Sequence, residues 1–204
     1  MREKERSTRI IFVRHGETDF PLDRLYCDDE ESPPLNAAGL AQAEAAAIRL
    51  TDVPIDAIYA SPAIRTQMTA AAIVKTNGGE IVTHDAFLER RFGAWDGLYF
   101  DEVEKRYPEG YRAWKTDPLN FAPQDGETIG DLLARVKAAV SELLERHAGG
   151  TIVIIAHVGP IRVMMADALQ MPLEGYRQLR IDYASLSAID FGGRQNNILY
   201  LNRV

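Results

Sequence analysis

The stretch Ile10-Ile11-Phe12-Val13-Arg14-His15-Gly16-Glu17-Thr18 opens with four apolar residues and turns abruptly polar. An unbroken run of β-branched and aromatic side chains has the composition of a strand covered on both faces, and the change at Arg14 marks its carboxyl end. A cation, an imidazole and a glycine placed there fall where open α/β sheets bind ligands. The pattern recurs late in the chain. Thr151–Ala156 is a second buried run, and His157-Val158-Gly159-Pro160 turns from it into a helix carrying Ile161, Val163, Met164 and Leu169. Two histidines thus hold equivalent positions at two strand ends.

Between these runs, strand-like and helical patterns alternate. Asn36 is a candidate cap for an alanine-rich helix over residues 37–50, with Leu40, Ala43, Ala47 and Leu50 at helical spacing. Residues 56–60 read as a short strand. Ser61-Pro62 then predicts a helix start, serine as cap and proline at the first position, which puts Arg65 in the first turns of a helix to about residue 74. Residues 81–88 read as extended, leading to Glu89. Residues 128–147 form a long amphipathic helix with Ile129, Leu132, Leu133, Val136, Val140, Leu143 and Leu144 as its stripe, ended by Gly149-Gly150. Residues 185–191 and 197–201 read as a closing β-hairpin. The expectation is an α/β fold with a mostly parallel sheet and a C-terminal β-hairpin. One domain over 1–204 suffices, with 1–8 as a mobile tail and the aromatic segment 92–121 as a lid.

Composition removes several classes. A hydrophobic content of 46 % and a charged content of 26 % are those of an ordinary soluble domain, and no apolar run is long enough to span a bilayer. The mixed-charge opening is no secretory signal, so a cytoplasmic protein with no membrane partner is expected. Cys27 is the only cysteine, which excludes an intrachain disulfide and any multi-cysteine metal site. A net charge of −7 argues against a nucleic-acid surface, although a local cationic pocket can sit in an acidic protein. The four histidines show no His-x-His or His-Glu-x-x-His spacing, so no metal site is assigned. His84, in a polar loop, and His147, near a helix end, read as structural.

Arg65 follows the strand at 56–60, so Arg14, His15, Arg65, Glu89 and His157 are expected at one sheet edge. Arg14-His15-Gly16-Glu17-Thr18 after an amino-terminal strand resembles the histidine phosphatase (phosphoglycerate mutase-like) superfamily. Ser61-Pro62 with Arg65, Leu88-Glu89 with Phe92-Gly93 and Asp96-Gly97, and the late strand ending in His157 are similar to its other motifs, in its order. The resemblance implies a three-layer αβα sandwich, a phosphate pocket of Arg14, His15, Arg65 and His157, and Glu89 as proton donor. It implies no cofactor. Pro21 stands where many members have an asparagine, removing one phosphate contact, and Val158 replaces a glycine while keeping its backbone N–H.

The residue types support this chemistry directly. A neutral imidazole at His15 is a nucleophile toward phosphorus, and nearby cations oppose its protonation. Arg14 and Arg65 suit the equatorial charge of a transferring phosphoryl group, with His157 as a further donor. Glu89 is the acid for the leaving alkoxide, with Asp85, Asp96 and Asp101 as alternatives. Tyr26 and Cys27, in the loop with the acidic run at 28–31, are assigned to substrate preference, and Trp95 and Tyr99 to the leaving-group pocket. The expected function is metal-independent hydrolysis of a small phosphorylated metabolite through a phosphohistidine on His15, with phosphate or another anion in the pocket. Phosphoglycerate mutase-type transfer is the alternative, since Glu89-Arg90-Arg91-Phe92-Gly93 is mutase-like, but Lys105, Arg106, Arg112 and Lys115 are scattered with no paired arginines. A non-catalytic phospho-ligand or protein-binding module is the second alternative. Substrate and oligomeric state stay open, a homodimer among the arrangements.

Overall fold

The computed structural model describes residues 7–21, 23–26, 32–192 and 195–204. Its elements run β1 Thr8–Arg14, α1 Ala37–Arg49, β2 Ala57–Ala60, α2 Ile64–Asn77, β3 Ile81–Thr83, α3 Phe100–Arg106, α4 Pro108–Thr116, α5 Ile129–Arg146, β4 Thr151–Ala156, α6 Val158–Ala168, β5 Leu186–Phe191 and β6 Asn197–Arg203. The six strands form one sheet in the order β3-β2-β4-β1-β5-β6. β1 to β4 pair in parallel, and β5 and β6 add an antiparallel end.

The apolar runs explain the layering. Along β1, Ile10 and Phe12 face one side, where the stripe of α5 and the residues of α6 cover them. Ile11 and Val13 face the other, against α1 and α2. Successive strand residues point to opposite faces, so a strand apolar at every position needs helices on both sides, and three layers follow. The α5 stripe is buried as its spacing predicts, with Leu133 and Leu144 at its margin. Thr128 caps α5 by accepting from the Asp131 N–H, and the Asp131 carboxylate accepts from the Thr128 N–H.

Several local expectations are corrected. Thr8 is not in a tail but begins β1, buried, its Oγ1 accepting from the Gly149 N–H. Of the expected stripe Leu40 alone is exposed; Ala43, Ala47 and the C-cap Leu50 are buried, joined by Gly39 and Ala46. The segment after residue 81 is strand only to Thr83, because a 3₁₀ turn at Asp85–Phe87 breaks the extension. Ser61 does not cap α2, whose N-cap is Ala63 without a side-chain bond. Its hydroxyl lies 2.8 Å from Nε2 of His157, just past the end of β4, and is 3.4 Å from the Ala63 N–H.

The segment 92–121 folds over the carboxyl edge of the sheet with a small core of its own, in which Leu25, Trp95 and Val103 are buried among Phe92, Leu98, Tyr111, Trp114 and Phe121. Most of its aromatics are therefore packing. Among the described residues no helix is long and apolar enough to cross a membrane.

Candidate active site

The site is assembled where β2, β4 and β1 end side by side. Arg14 is in register with Ala156, and Ala60 with Ile155, so His15 and His157 emerge level and Ser61 one position before them. The ladder continues one bond further: His15 donates its N–H to Ala156 O at 3.0 Å, and Ser61 donates to Ile155 O at 3.1 Å. Beyond His15, Gly16 allows a backbone approach that no side chain permits. A Cβ at Gly16 would lie 2.4 Å from Gly39 O, so the loop is pressed against the first turn of α1.

His15 is 8 % exposed, and its Nδ1 lies 2.8 Å from Gly16 O. A carbonyl can only accept, so the proton is on Nδ1 and the lone pair on Nε2. Burial, with the Arg65 and Arg14 charges beside it, holds the His15 pKa well below the ordinary value. The ring is therefore neutral and nucleophilic, for a reason in which desolvation outweighs the cations expected from sequence. His157 is also driven well below its ordinary pKa by burial and then by Arg65, and its ring centre is 5.2 Å from that of His15.

Arg65, 2 % exposed, reaches over from the first turn of α2. Its Nη2 lies 3.0 Å from His157 Nδ1, and its Nη1 donates to Tyr26 Oη at 2.9 Å. Since His157 Nε2 is 2.8 Å from Ser61 Oγ, both ring nitrogens are taken by the protein, and the donor expected to face a phosphate is turned to Ser61. Arg14 donates to Ile181 O at 2.7 Å, lies 3.9 Å over the Tyr183 ring, and has a buried Nε with no partner. Glu89 accepts from the Arg90 N–H at 2.8 Å and from the Gly159 N–H of α6 at 3.1 Å.

Arg14, His15, Arg65, Glu89, His157, Val158 and Tyr26 all line one cleft of about 440 Å³. Cys27 and the acidic run lie outside the described residues. Trp95 lines the cleft but Tyr99 does not, its place being taken by Phe100 and Trp114. Asp85, Asp96 and Asp101 do not line it, and Asp101 pairs with Lys105 on the surface. His84 accepts from the Ala86 N–H and His147 lies 2.9 Å from Tyr59 Oη, both outside the cleft as expected. Tyr183, Arg24, Tyr176, Arg162 and Arg177, unassigned from sequence, also line it, as does Arg90.

This arrangement can be set beside known proteins. The model of the histidine phosphatase superfamily, branch 1, matches residues 10–204. The chain belongs to that superfamily. This histidine phosphatase is 34 % identical over 195 residues to phosphoserine phosphatase 1 of Hydrogenobacter thermophilus, spanning 95 % of the chain and 92 % of the relative. The α-ribazole phosphatase structure from Shigella flexneri superposes with a TM-score of 0.85 at 29 % identity, covering 95 % of this chain and 96 % of that one. A mycobacterial glucosyl-3-phosphoglycerate phosphatase gives a TM-score of 0.84 at 26 % identity, covering 98 % and 100 %. The enzyme is a phosphatase of the histidine phosphatase type.

Proposed function

We propose that this phosphatase hydrolyses small phosphomonoesters through a phosphohistidine on His15, without a metal ion. The observation that carries the reading is the His15 hydrogen bond to Gly16 O, which leaves Nε2 unprotonated in a buried ring flanked by Arg14 and Arg65. The Nε2 lone pair attacks phosphorus while the ester P–O bond breaks, and Glu89 delivers a proton to the departing oxygen. Water then attacks the phosphoryl group, Glu89 takes its proton, the N–P bond breaks, and inorganic phosphate leaves. Arg14, whose Nε is buried and unpartnered, and Arg65 bind the equatorial oxygens, and the Val158 N–H at the start of α6 adds a helix-terminus donor. His157 acts by holding Arg65 in place. Guanidinium groups supply the charge that a metal supplies elsewhere.

The test is phosphate release from a panel of phosphomonoesters, with and without chelator, for the parent and His15→Ala. Release that persists in chelator and disappears in the variant is expected. Activity that needs a metal or survives the substitution overturns the mechanism, and transfer between positions of phosphoglycerate without release favours the mutase.

A further inference from the structure

The chain carries a net charge of −7, yet its cleft is lined by Arg14, Arg24, Arg65, Arg90, Arg162 and Arg177. Among the described residues the one carboxylate lining it is Glu89. The phosphate reading accounts for Arg14 and Arg65 at the His15 end. It does not account for the others.

Arg90 is 6 % exposed and held by carbonyls, Nε donating to Glu127 O at 3.0 Å and Nη2 to Phe121 O at 2.9 Å. Carbonyl contacts orient a guanidinium without neutralising it. Arg162 donates its Nε to Leu179 O at 2.8 Å, and Arg177 its Nε to Tyr176 Oη at 3.0 Å. Among the described residues neither makes a carboxylate ion pair, and the Nη groups of both are left without a protein acceptor. Arg162 feels the like charge of Arg177, as Arg14 feels that of Arg162, and Arg14, Arg90 and Arg162 all feel Glu89. Glu89 is therefore within electrostatic reach both of Arg14 beside His15 and of Arg162 on α6. Like charges gathered in a partly desolvated cleft are costly unless an anion joins them.

We infer that Arg162 and Arg177, backed by Arg90 and Tyr176, form a second anion subsite in the same cleft as His15 and Glu89, so the preferred substrate is a phosphomonoester whose leaving group bears its own anionic group. The inference rests on the phosphomonoesterase reading and deepens it. Phosphate is cleaved at His15, Glu89 protonates the ester oxygen, and the leaving group's anion is held by two guanidinium forks. The shared chemistry is a compact oxyanion, which a carboxylate or a second phosphate can supply. The aromatic wall of Phe92, Phe100 and Trp114 leaves the leaving group few other polar partners.

Matched esters test it. Phosphoserine and phosphoethanolamine differ by one carboxylate, 3-phosphoglycerate and glycerol 3-phosphate by a carboxylate against a hydroxymethyl group, and fructose 1,6-bisphosphate and fructose 1-phosphate by one phosphate. The parent should favour the anion-bearing member of at least one pair by about tenfold or more in kcat/KM, the pair showing whether carboxylate or phosphate is taken. In Arg162→Met/Arg177→Met that ratio should fall toward one. Arg177→Met alone, at an exposed position, gives the same trend without risk to folding. A parent ratio near one in every pair, or a ratio unchanged in the double variant, overturns the subsite. Calorimetric binding of the same pairs to His15→Ala, with and without the two arginines, reads the subsite independently of turnover. Failure of hydrolysis therefore counts against the mechanism, and loss of discrimination in binding against the subsite.

Discussion

Arg65 donates from Nη2 to Nδ1 of His157 at 3.0 Å, and that contact fixes the protonation of a buried ring. A guanidinium offers no lone pair, so Nδ1 must accept and the ring proton sits on Nε2, aimed at Ser61 Oγ 2.8 Å away. Ser61, fully buried, is thus the outermost support of the phosphate arginine. Ser61→Ala leaves that N–H without its acceptor at a cost of about 1–3 kcal/mol. The expected result is a Tm lower by several degrees and a several-fold loss in kcat/KM. An unchanged Tm and rate would show that His157 needs no such support.

The two neutral histidines make stability depend on pH. Both have pKa values well below the ordinary imidazole value of about 6.5 in the folded state, so below about pH 6.5 the unfolded chain binds more protons than the folded one. Stability is therefore lost as pH falls through this range, by up to about 1.4 kcal/mol per pH unit for each ring. Urea denaturation between pH 7 and pH 5 should show this slope, and His15→Ala should remove the share of one ring. A slope identical in parent and variant would mean that His15 is protonated alike in both states.

Features that covalent neighbours decide are legible in the amino-acid sequence, and those that distant residues decide are not. β1 and β4 were legible because strands covered on both faces are apolar at every position, and the residues after them had to emerge at one edge. Ser61 was misplaced because Ser-Pro is a sound local helix start that a hydrogen bond to His157, 96 positions away, overrides. Tyr183 reaches His15 only through the antiparallel return of β5, which no motif announces. Arg162 did leave a signal: it is the one cation in the otherwise largely apolar helix Val158–Ala168. Arg177 follows in a 3₁₀ turn whose position depends on tertiary packing.

Glu89 is held so closely that one added methyl should displace it. A Cβ at Gly159 would fall 2.0 Å from Glu89 Oε1, and the Gly159 N–H is itself a donor to that carboxylate. Gly159→Ala should therefore lower kcat about tenfold or more on alkyl phosphates, whose leaving oxygen needs a proton. It should cost much less on p-nitrophenyl phosphate, whose leaving group departs unassisted. Steady-state rates on both ester types, with Glu89→Gln as reference, check this. Equal losses on the two would remove Glu89 from the role of acid.

The segment carrying Glu89 is itself clamped from α5. Arg135 donates to Ala86 O at 2.8 Å, Leu88 O at 3.2 Å and Glu89 O at 3.3 Å, and pairs with Glu127, whose carboxylate also accepts from the Arg91 N–H at 3.0 Å. The side chains of Arg135 and Glu127 are 15 % and 8 % exposed, so removing one partner strands a buried charge, and Arg135→Met should destabilise by about 3–5 kcal/mol. Removing both charges, in Arg135→Met/Glu127→Leu, avoids the stranded carboxylate and should recover much of that stability. It cannot restore the three carbonyl contacts, so the double variant should stay slow on alkyl phosphates while remaining closer to the parent on p-nitrophenyl phosphate. Thermal unfolding and the two rates separate the effects: recovery of Tm together with the alkyl-phosphate rate would make the pair a stability device, whereas recovery of Tm alone makes Arg135 a positioning residue for Glu89.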